Sequence, residues 1–437
     1  MSINHKLVKP IANSAARAFV HRYNPEKPTL QYVFFKYWEP FLSYAKKQGI
    51  FISDYIDSEV RKMISCGTIE NGFDVYECPN CHKHHIVGYS CKGRFCNRCG
   101  SRSNKLQASF VANHTLDVSH RHVVFTIDKS LRSWFYFHKD WLRFLFDAAS
   151  HTIIYAFNPK YQKRLLNHSS IAEANRNIQN IPGYIITLHT FGRALNWNPH
   201  VHILLTEGYM NMSHSYVKSS FINYETLRKS FMKTLLDLMR DALPEGSTEH
   251  RQFIDLRNKL YTLDKNGFYV YAPPIVSKDE SLDLSNRQQI VKYMMRYTGR
   301  PAMAQSRIIS LNRYTDTIRY WYDDHTTGKH TEISEHVFLF ILKLIQHIPE
   351  KQFKMTRYYG LYASASHKHK SAVKNKLRFF SSVKRNSDRN CHYRQLLIDT
   401  FNVDPFLCTC GSYMKYVDSY IPPRLRYGDE PPPNSGQ

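Results

Sequence analysis

The chain has 437 residues, room for about three domains at roughly 150 residues each, and 42% of it is apolar, which excludes a disordered protein. Against 60 Lys plus Arg stand 36 Asp plus Glu, a formal +24 that sets neutral metabolites and acidic substrates behind a polyanion, usually nucleic acid. No apolar run reaches the roughly 18 residues of a membrane helix, and Met1 to Ala12 lacks the apolar stretch of an export signal, so a cytoplasmic protein without membrane contact is expected.

In chain order, residues 28 to 63 read as helical, with Tyr37, Phe41 and Tyr44 on one face. Between Cys66 and Gly100 the composition shifts to Cys, His, Gly and Lys, with too few apolar residues for a core. Residues 105 to 117 read as helix, Arg121 to Ile127 as a β-branched strand, and Trp134 to Tyr155 as one long buried helix. Gly183 to Thr190 and Pro199 to Thr206 carry the clearest strand pattern and suggest an antiparallel pair. An amphipathic helix over 225 to 242 and a short strand over 268 to 272 follow. Ser285 as N-cap, Gln288 three residues on, and Gly299 with Pro301 as the stop bound the next helix. Arg319 to Tyr322 reads as strand and Val337 to Ile348 as helix. Lys351 to Thr400 holds 12 Lys plus Arg against 2 acids, and Pro431 to Gln437 reads as a tail.

Of 9 cysteines, six fall between Cys66 and Cys99, which favours a metal site over a secreted disulfide framework. Cys78-x2-Cys81 and Cys96-x2-Cys99 are two knuckles able to complete one tetrahedral zinc site. A closed four-thiolate site leaves no position for substrate, so its role is structural. Cys66, Cys91, His82, His84 and His85 are surplus to it, either substituting for a member, joining a second ion, or standing free. Cys408-x-Cys410 is a further knuckle with no second pair near it in sequence. Lys92, Arg94, Arg98, Arg102 and Lys105 thread the cluster as expected of a module that lies on phosphates.

A random arrangement of 23 His yields about one His-x-His pair, and four occur. Three have Lys or Arg in the middle, His120/His122 among them. His200-Val201-His202 alone has an apolar centre and lies in a strand, whose period of two sends both imidazoles to one face and Val201 into the core. His189 on the partner strand comes within reach of the same divalent ion. Tyr293-x3-Tyr297 lies in the capped helix, away from the stripe of Ile290, Val291, Met294 and Met295, so packing does not account for the tyrosines. Two phenols one turn apart, facing a metal, suit attack on a phosphodiester. The product is a 5′-phosphotyrosine and a free 3′-hydroxyl.

Together these residues resemble the rolling-circle insertion-sequence transposases that combine an N-terminal zinc-binding domain with a two-tyrosine HUH nuclease core. The likeness rests on Cys66-Gly67, Cys78-Pro-Asn-Cys81 and Ser90 to Gly100 for the zinc module, and on Arg121 to Ile127 for the first core strand. It extends to Leu188 to Gly192 with Asn198 to His202 for the metal pair, Tyr293 to Thr298 for the tyrosine helix, and Arg357 to Tyr362 for a C-terminal signature, in order over about residues 60 to 415. The resemblance implies an α+β fold: an antiparallel HUH-type sheet flanked by helices, preceded by a small zinc-ribbon-like domain and followed by a basic C-terminal region. Expected boundaries are 1–60 for an N-terminal helical segment, 61–110 for the zinc domain, 111–348 for the core, and 349–437 for the basic region and tail. It further implies nicking and transfer of single-stranded DNA ends with Mg²⁺ or Mn²⁺ beside structural Zn²⁺. Tyr293 is the first nucleophile and Tyr297 the second, His200 and His202 hold the ion with His189, and Lys92, Arg94, Arg98, Lys374, Lys376 and Arg378 hold the strand. Where the likeness breaks, the C-terminal pair is Cys-x-Cys instead of Cys-x2-Cys. A replication initiator or relaxase with the same chemistry, or a zinc-dependent DNA-binding protein without catalysis, are the alternatives.

Overall fold

Residues 30 to 64, expected as one helical stretch, form two helices that meet at a bend: α1 (Leu30–Lys47), capped by the Thr29 hydroxyl, and α2 (Asp54–Ile64), capped by Ser53. Gly49, at φ +69°, lies in the turn between them, a conformation that costs glycine little. Gln31 ties the pair by donating to the Met63, Ile64 and Cys66 carbonyls, and the Trp38 indole donates to Asp57 at 2.7 Å. The computed structural model describes residues 28–158, 178–219, 223–272, 289–290, 292–293, 301–323, 328–363, 398, 404 and 406–421. Tyr297, Lys374, Lys376, Arg378, the Ser285 cap and the tail lie outside the described residues, as do the first 27 residues and the side chains of Arg102 and Lys105.

The Cys-rich segment contains two strands that composition did not reveal, β1 (Phe73–Glu77) and β2 (His84–Gly88). Next comes α3 (Asn97–His114), which starts within the second knuckle. The main sheet is built from β3 (His120–Thr126), β4 (Ile181–Phe191), β5 (Trp197–Met210), β6 (Tyr216–Lys218), β7 (Val270–Tyr271) and β11 (Thr356–Gly360). Its order is β11-β4-β5-β3-β7 with β6 on β5, and every pairing is antiparallel. The sheet thus continues past the boundary expected at residue 348. The paired strands reach closer to each other than the sequence pattern, leaving only residues 192–196 as the turn.

Alternation along the strands divides the two faces. Tyr184, Ile186, Leu188, Val201, Ile203, Leu205, Val123 and Phe125 enter the largest apolar core, together with α5 (Leu142–Phe157) and α6 (Tyr224–Asp241). The helix expected over 134 to 155 is interrupted: α4 (Arg132–Phe137) ends at His138, whose φ −114° and ψ 72° break the helical path before α5. A further helix, α7 (Thr248–Leu263), buries Phe253 and Leu260. A second core joins α1 and α2 to a three-stranded sheet, β8 (Ile308–Asn312), β9 (Thr317–Asp323) and β10 (His330–His336), and to α8 (Val337–Ile345). Cys66, Cys96 and Cys99 belong to that core, so the N-terminal helices are packed into the molecule and do not form a separate segment. Finally β12 (Lys415–Tyr420) returns across the chain to pair with β1, giving the sheet order β12-β1-β2. Among the described residues no helix is long and apolar enough to cross a membrane.

Candidate active site and metal centres

The opposite face of the main sheet carries the polar chemistry. His189 on β4 lies in register with His200 on β5, and Thr187 with His202, so the period of two places three imidazoles side by side while Val201 is fully buried behind them. Their ligating nitrogens all lie within 4.8 Å of one another. His200 donates from Nδ1 to the Asn198 carbonyl at 2.7 Å, which leaves the Nε2 lone pair free to point at His202 Nε2, 3.1 Å away. Burial, first, pushes the pKa of His200 and of His202 down, and for His202 the neighbouring imidazoles add to it. Neutral nitrogens converging this closely suit a divalent ion, with coordination positions left for substrate oxygen.

His122, on β3, stands on the same face. Its Nε2 lies 3.0 Å from His202 Nδ1, and the two rings are 5.3 Å apart at 20°. Tyr293 packs edge-on against His122 with ring centroids 4.8 Å apart. The tyrosine is 7% exposed and shares a cluster with Ile290, Ile185, Leu204 and, from α3, Ala108 and Val111. This corrects the expectation that packing does not explain it: Ile290 is one turn before Tyr293, and both face the sheet. Sequence reasoning passed over His122 because the residue between it and His120 is Arg121 and not an apolar one. Both ends are in fact buried, Arg121 pairs with the buried Glu207, and His120 Nε2 is 2.6 Å from the Tyr362 hydroxyl. The signal was the strand alternation of residues 121–127, which puts His120, His122 and Val124 on the face of His202.

The cysteines divide differently from the expected single site. Cys78 and Cys81 do not meet Cys96 and Cys99; the thiols form two quartets, Cys66/Cys91/Cys96/Cys99 and Cys78/Cys81/Cys408/Cys410, each with all sulfurs within 4.8 Å. Cys66 to Cys99 is 3.5 Å and Cys91 to Cys99 3.6 Å, Cys78 to Cys410 3.4 Å and Cys81 to Cys408 3.5 Å. Four thiolates around zinc at about 2.3 Å stand about 3.8 Å apart, whereas a disulfide needs about 2 Å. Each quartet therefore fits a structural Zn²⁺. Thiol contact lowers Cys66 and raises Cys91 and Cys96 in the first quartet, and in the second the Ser412 amide and thiol contact lower Cys410 while Cys81 is raised, so the sulfurs of each quartet share their protons, and the spacing alone carries the zinc reading. His82 and His84 instead face Glu77, at 2.8 and 3.7 Å, on the surface.

Lys92, Arg94 and Arg98 are exposed around the first quartet. Arg94 reaches the rim of a cavity of about 110 Å³ between the start of α3 and β4, lined also by Asn97, Asn104, His189, Phe191 and Met303. Arg94 and His189 thus line one cavity.

Two family models match the chain: "Transposase zinc-binding domain" (Zn_Tnp_IS91) over residues 33–127, and "Putative transposase" (Y2_Tnp) over residues 183–370. Among curated proteins the chain is similar to "Transposase for insertion sequence element IS801" of Pseudomonas savastanoi pv. phaseolicola, 27% identical over 82% of each chain. It is also similar to "Putative transposase y4qJ" of Sinorhizobium fredii (strain NBRC 101917 / NGR234), 24% identical over 68% of this chain and 71% of that one. No solved structure matches it.

Proposed function

The chain belongs to the IS91-type rolling-circle transposases with an N-terminal zinc-binding domain, and from that premise we propose that it nicks and rejoins single-stranded DNA through a 5′-phosphotyrosine, with the antiparallel sheet acting as an HUH-type core. The observation that carries the reading is the contact chain Tyr293–His122–His202–His200, which sets a phenol beside a convergent imidazole cluster on one sheet face.

In this reading Tyr293 Oη attacks the phosphorus, a P–O(tyrosine) bond forms, and the P–O3′ bond breaks. The phenol gives up its proton as the departing 3′ oxygen takes one up. His189, His200 and His202 would hold the Mn²⁺ or Mg²⁺, which when bound would supply polarisation of a non-bridging oxygen and offset the developing charge. An all-imidazole donor set favours Mn²⁺, because Mg²⁺ prefers oxygen ligands. Burial pushes the pKa of His200 and His202 below the ordinary imidazole value, which favours the neutral rings whose lone pairs can serve as ligands. The 3′-hydroxyl later reverses the step on the same bond, and Tyr297, four residues on in the sequence, provides a second acceptor for a second strand. Lys92, Arg94 and Arg98, exposed around the first thiol quartet, with Lys374, Lys376 and Arg378 in the basic C-terminal region, hold the phosphates of element ends and target. Zn²⁺ in the thiolate quartets shapes the DNA-binding module, and the protein works in the cytoplasm on DNA.

The test uses labelled single-stranded oligonucleotides tiling both ends of the element that encodes the chain, incubated with Mn²⁺ and resolved on denaturing gels. Wild type forms a covalent protein–DNA adduct. Tyr293→Phe combined with Tyr297→Phe abolishes it, as does His200→Ala with His202→Ala. A full adduct in either double variant overturns the assignment.

A further inference from the structure

Two of the three ligands need an explanation for why their rings face inward. For His200 the answer is local, the 2.7 Å bond from Nδ1 to the Asn198 carbonyl. For His202 it is not local. A neutral imidazole that offers Nε2 as ligand carries its proton on Nδ1, and that proton needs an acceptor. His202 Nδ1 points at His122 Nε2, 3.0 Å away, with the rings within 20° of parallel so that the acceptor lone pair lies near the plane of the donor.

We infer that His122 is the positioning residue of this centre: its Nε2 accepts from His202 Nδ1, fixing the tautomer and rotation of His202, while the edge of its ring seats Tyr293. The inference rests on the proposed metal role of His189, His200 and His202, and adds a residue that is neither ligand nor nucleophile.

Several features make His122 suited to that task. It is 5% exposed, so water does not compete for the bond. It lies on β3, hydrogen-bonded on both sides by β5 and β7, so its backbone has little freedom. Arg121, one residue earlier, pairs with the buried Glu207 of β5 and also reaches the Ala272 carbonyl beyond β7, which resists any slip of β3 against its neighbours. A one-residue slip would carry His122 to the other face. Tyr293, 4.8 Å from the His122 ring, then meets the cluster in a position set by the same side chain that orients the ligand.

The experiment separates the nitrogen from the ring. His122→Phe keeps an aromatic ring against Tyr293 and removes the acceptor; His122→Gln keeps a polar atom at similar reach and removes the ring. Binding of Mn²⁺ alone is measured by electron paramagnetic resonance on the full-length chain with its zinc in place, beside wild type and His202→Ala, with folding checked by thermal melting. Hydrogen-bond partners that orient a metal-ligating imidazole are worth about 10- to 100-fold in metal affinity. The expected order is wild type, then His122→Gln, with His122→Phe weaker by that factor. Equal affinity of wild type and His122→Phe overturns the inference, as does His122→Gln binding as weakly as His122→Phe. If His202→Ala binds Mn²⁺ as wild type does, the metal site itself is wrong and the inference falls with it. Wild-type binding lost in His202→Ala but unchanged in His122→Phe sinks the positioning role alone.

Discussion

Replacing Cys408 and Cys410 by Ser is expected to free the C-terminal strand while leaving the rest of the molecule folded. β12 is held on β1 by a short ladder with a register shift between Val75 and Tyr76, by the Phe73–Tyr420 contact at 5.4 Å, and by the second thiolate quartet. Bringing β12 back to β1 closes the connection of about 55 residues that runs from the end of β11 at Gly360 to the start of β12 at Lys415. By chain length alone that closure costs about 4 kcal/mol. The apolar contribution is small, since Tyr416 and Val417 are exposed and the local cluster is limited to Phe73, Val75 and Ile86 with Ile69 and Tyr420. A few short-ladder hydrogen bonds at about 1 kcal/mol each roughly balance the closure, so the quartet decides the outcome, because a structural zinc contributes on the order of 10 kcal/mol. The assay is amide hydrogen exchange over residues 415–420 with zinc content measured in parallel. Wild type should hold two zinc ions per chain; the variant should hold one and lose protection in β12, with β4 and β5 unchanged. Retained protection in β12 at one zinc per chain would refute the balance drawn above, and an unchanged zinc count would refute the ligands.

Cys96→Ser should remove the other ion and lower the melting temperature more than the C-terminal pair does, because Cys66, Cys96 and Cys99 sit in the second core; equal melting shifts would contradict this. Glu207→Ala leaves Arg121 charged and buried, at a cost of about 3–5 kcal/mol, readable as a fall in the denaturant midpoint, and Arg121→Met in the same chain should recover part of it. His347, enclosed between Thr190 Oγ1 at 3.1 Å and the Leu195 carbonyl at 3.1 Å, is lowered to about 4, chiefly by burial. Its unfolded form protonates near the ordinary imidazole value of 6.5, so stability present above that pH is lost as pH falls from about 6.5 to about 4, by roughly 3 kcal/mol. Urea midpoints of wild type and His347→Gln across that window should converge as pH falls; parallel curves would rule the effect out. Neutralising Lys374, Lys376 and Arg378 together should flatten the salt dependence of single-strand binding by roughly 2 in log–log slope, and an unchanged slope would return these residues to a solubility role.

Local patterns carried much of the site. The apolar-centred His200-Val201-His202 and its strand partner with His189 follow from a period of two, and the pairing places them as that period requires. The thiol grouping was not legible, because Cys408 and Cys410 lie about 330 residues from the sulfurs they meet, and only β12 returning to β1 brings them there. β1 and β2 escaped notice for a related reason: their sequence buries little, and the strands stand beside a metal-ligand set in place of a core. The long aromatic run of 134 to 155 hid the break at His138, since apolar density continues through it while the backbone does not. Tyr293 was misjudged from the helix wheel alone, which shows where the apolar stripe is centred but not how widely the sheet and α3 enclose its flank.

The placement of α3 joins two parts of the molecule that the sequence keeps separate. Cys96 and Cys99 of the first quartet sit at its start, and Ala108 and Val111, about three to four turns along, share the buried cluster of Tyr293. A helix of 18 residues is a rod about 27 Å long, far stiffer along its axis than any loop. Shifting the anchored end therefore moves the wall of the tyrosine's seat as well, and under the proposed mechanism the alignment of Tyr293 would depend on whether four thiols about three turns away are gathered on an ion. Removing zinc from that end is then expected to blunt the proposed strand cleavage even where DNA still binds, so that a metal outside the chemistry would set its geometry.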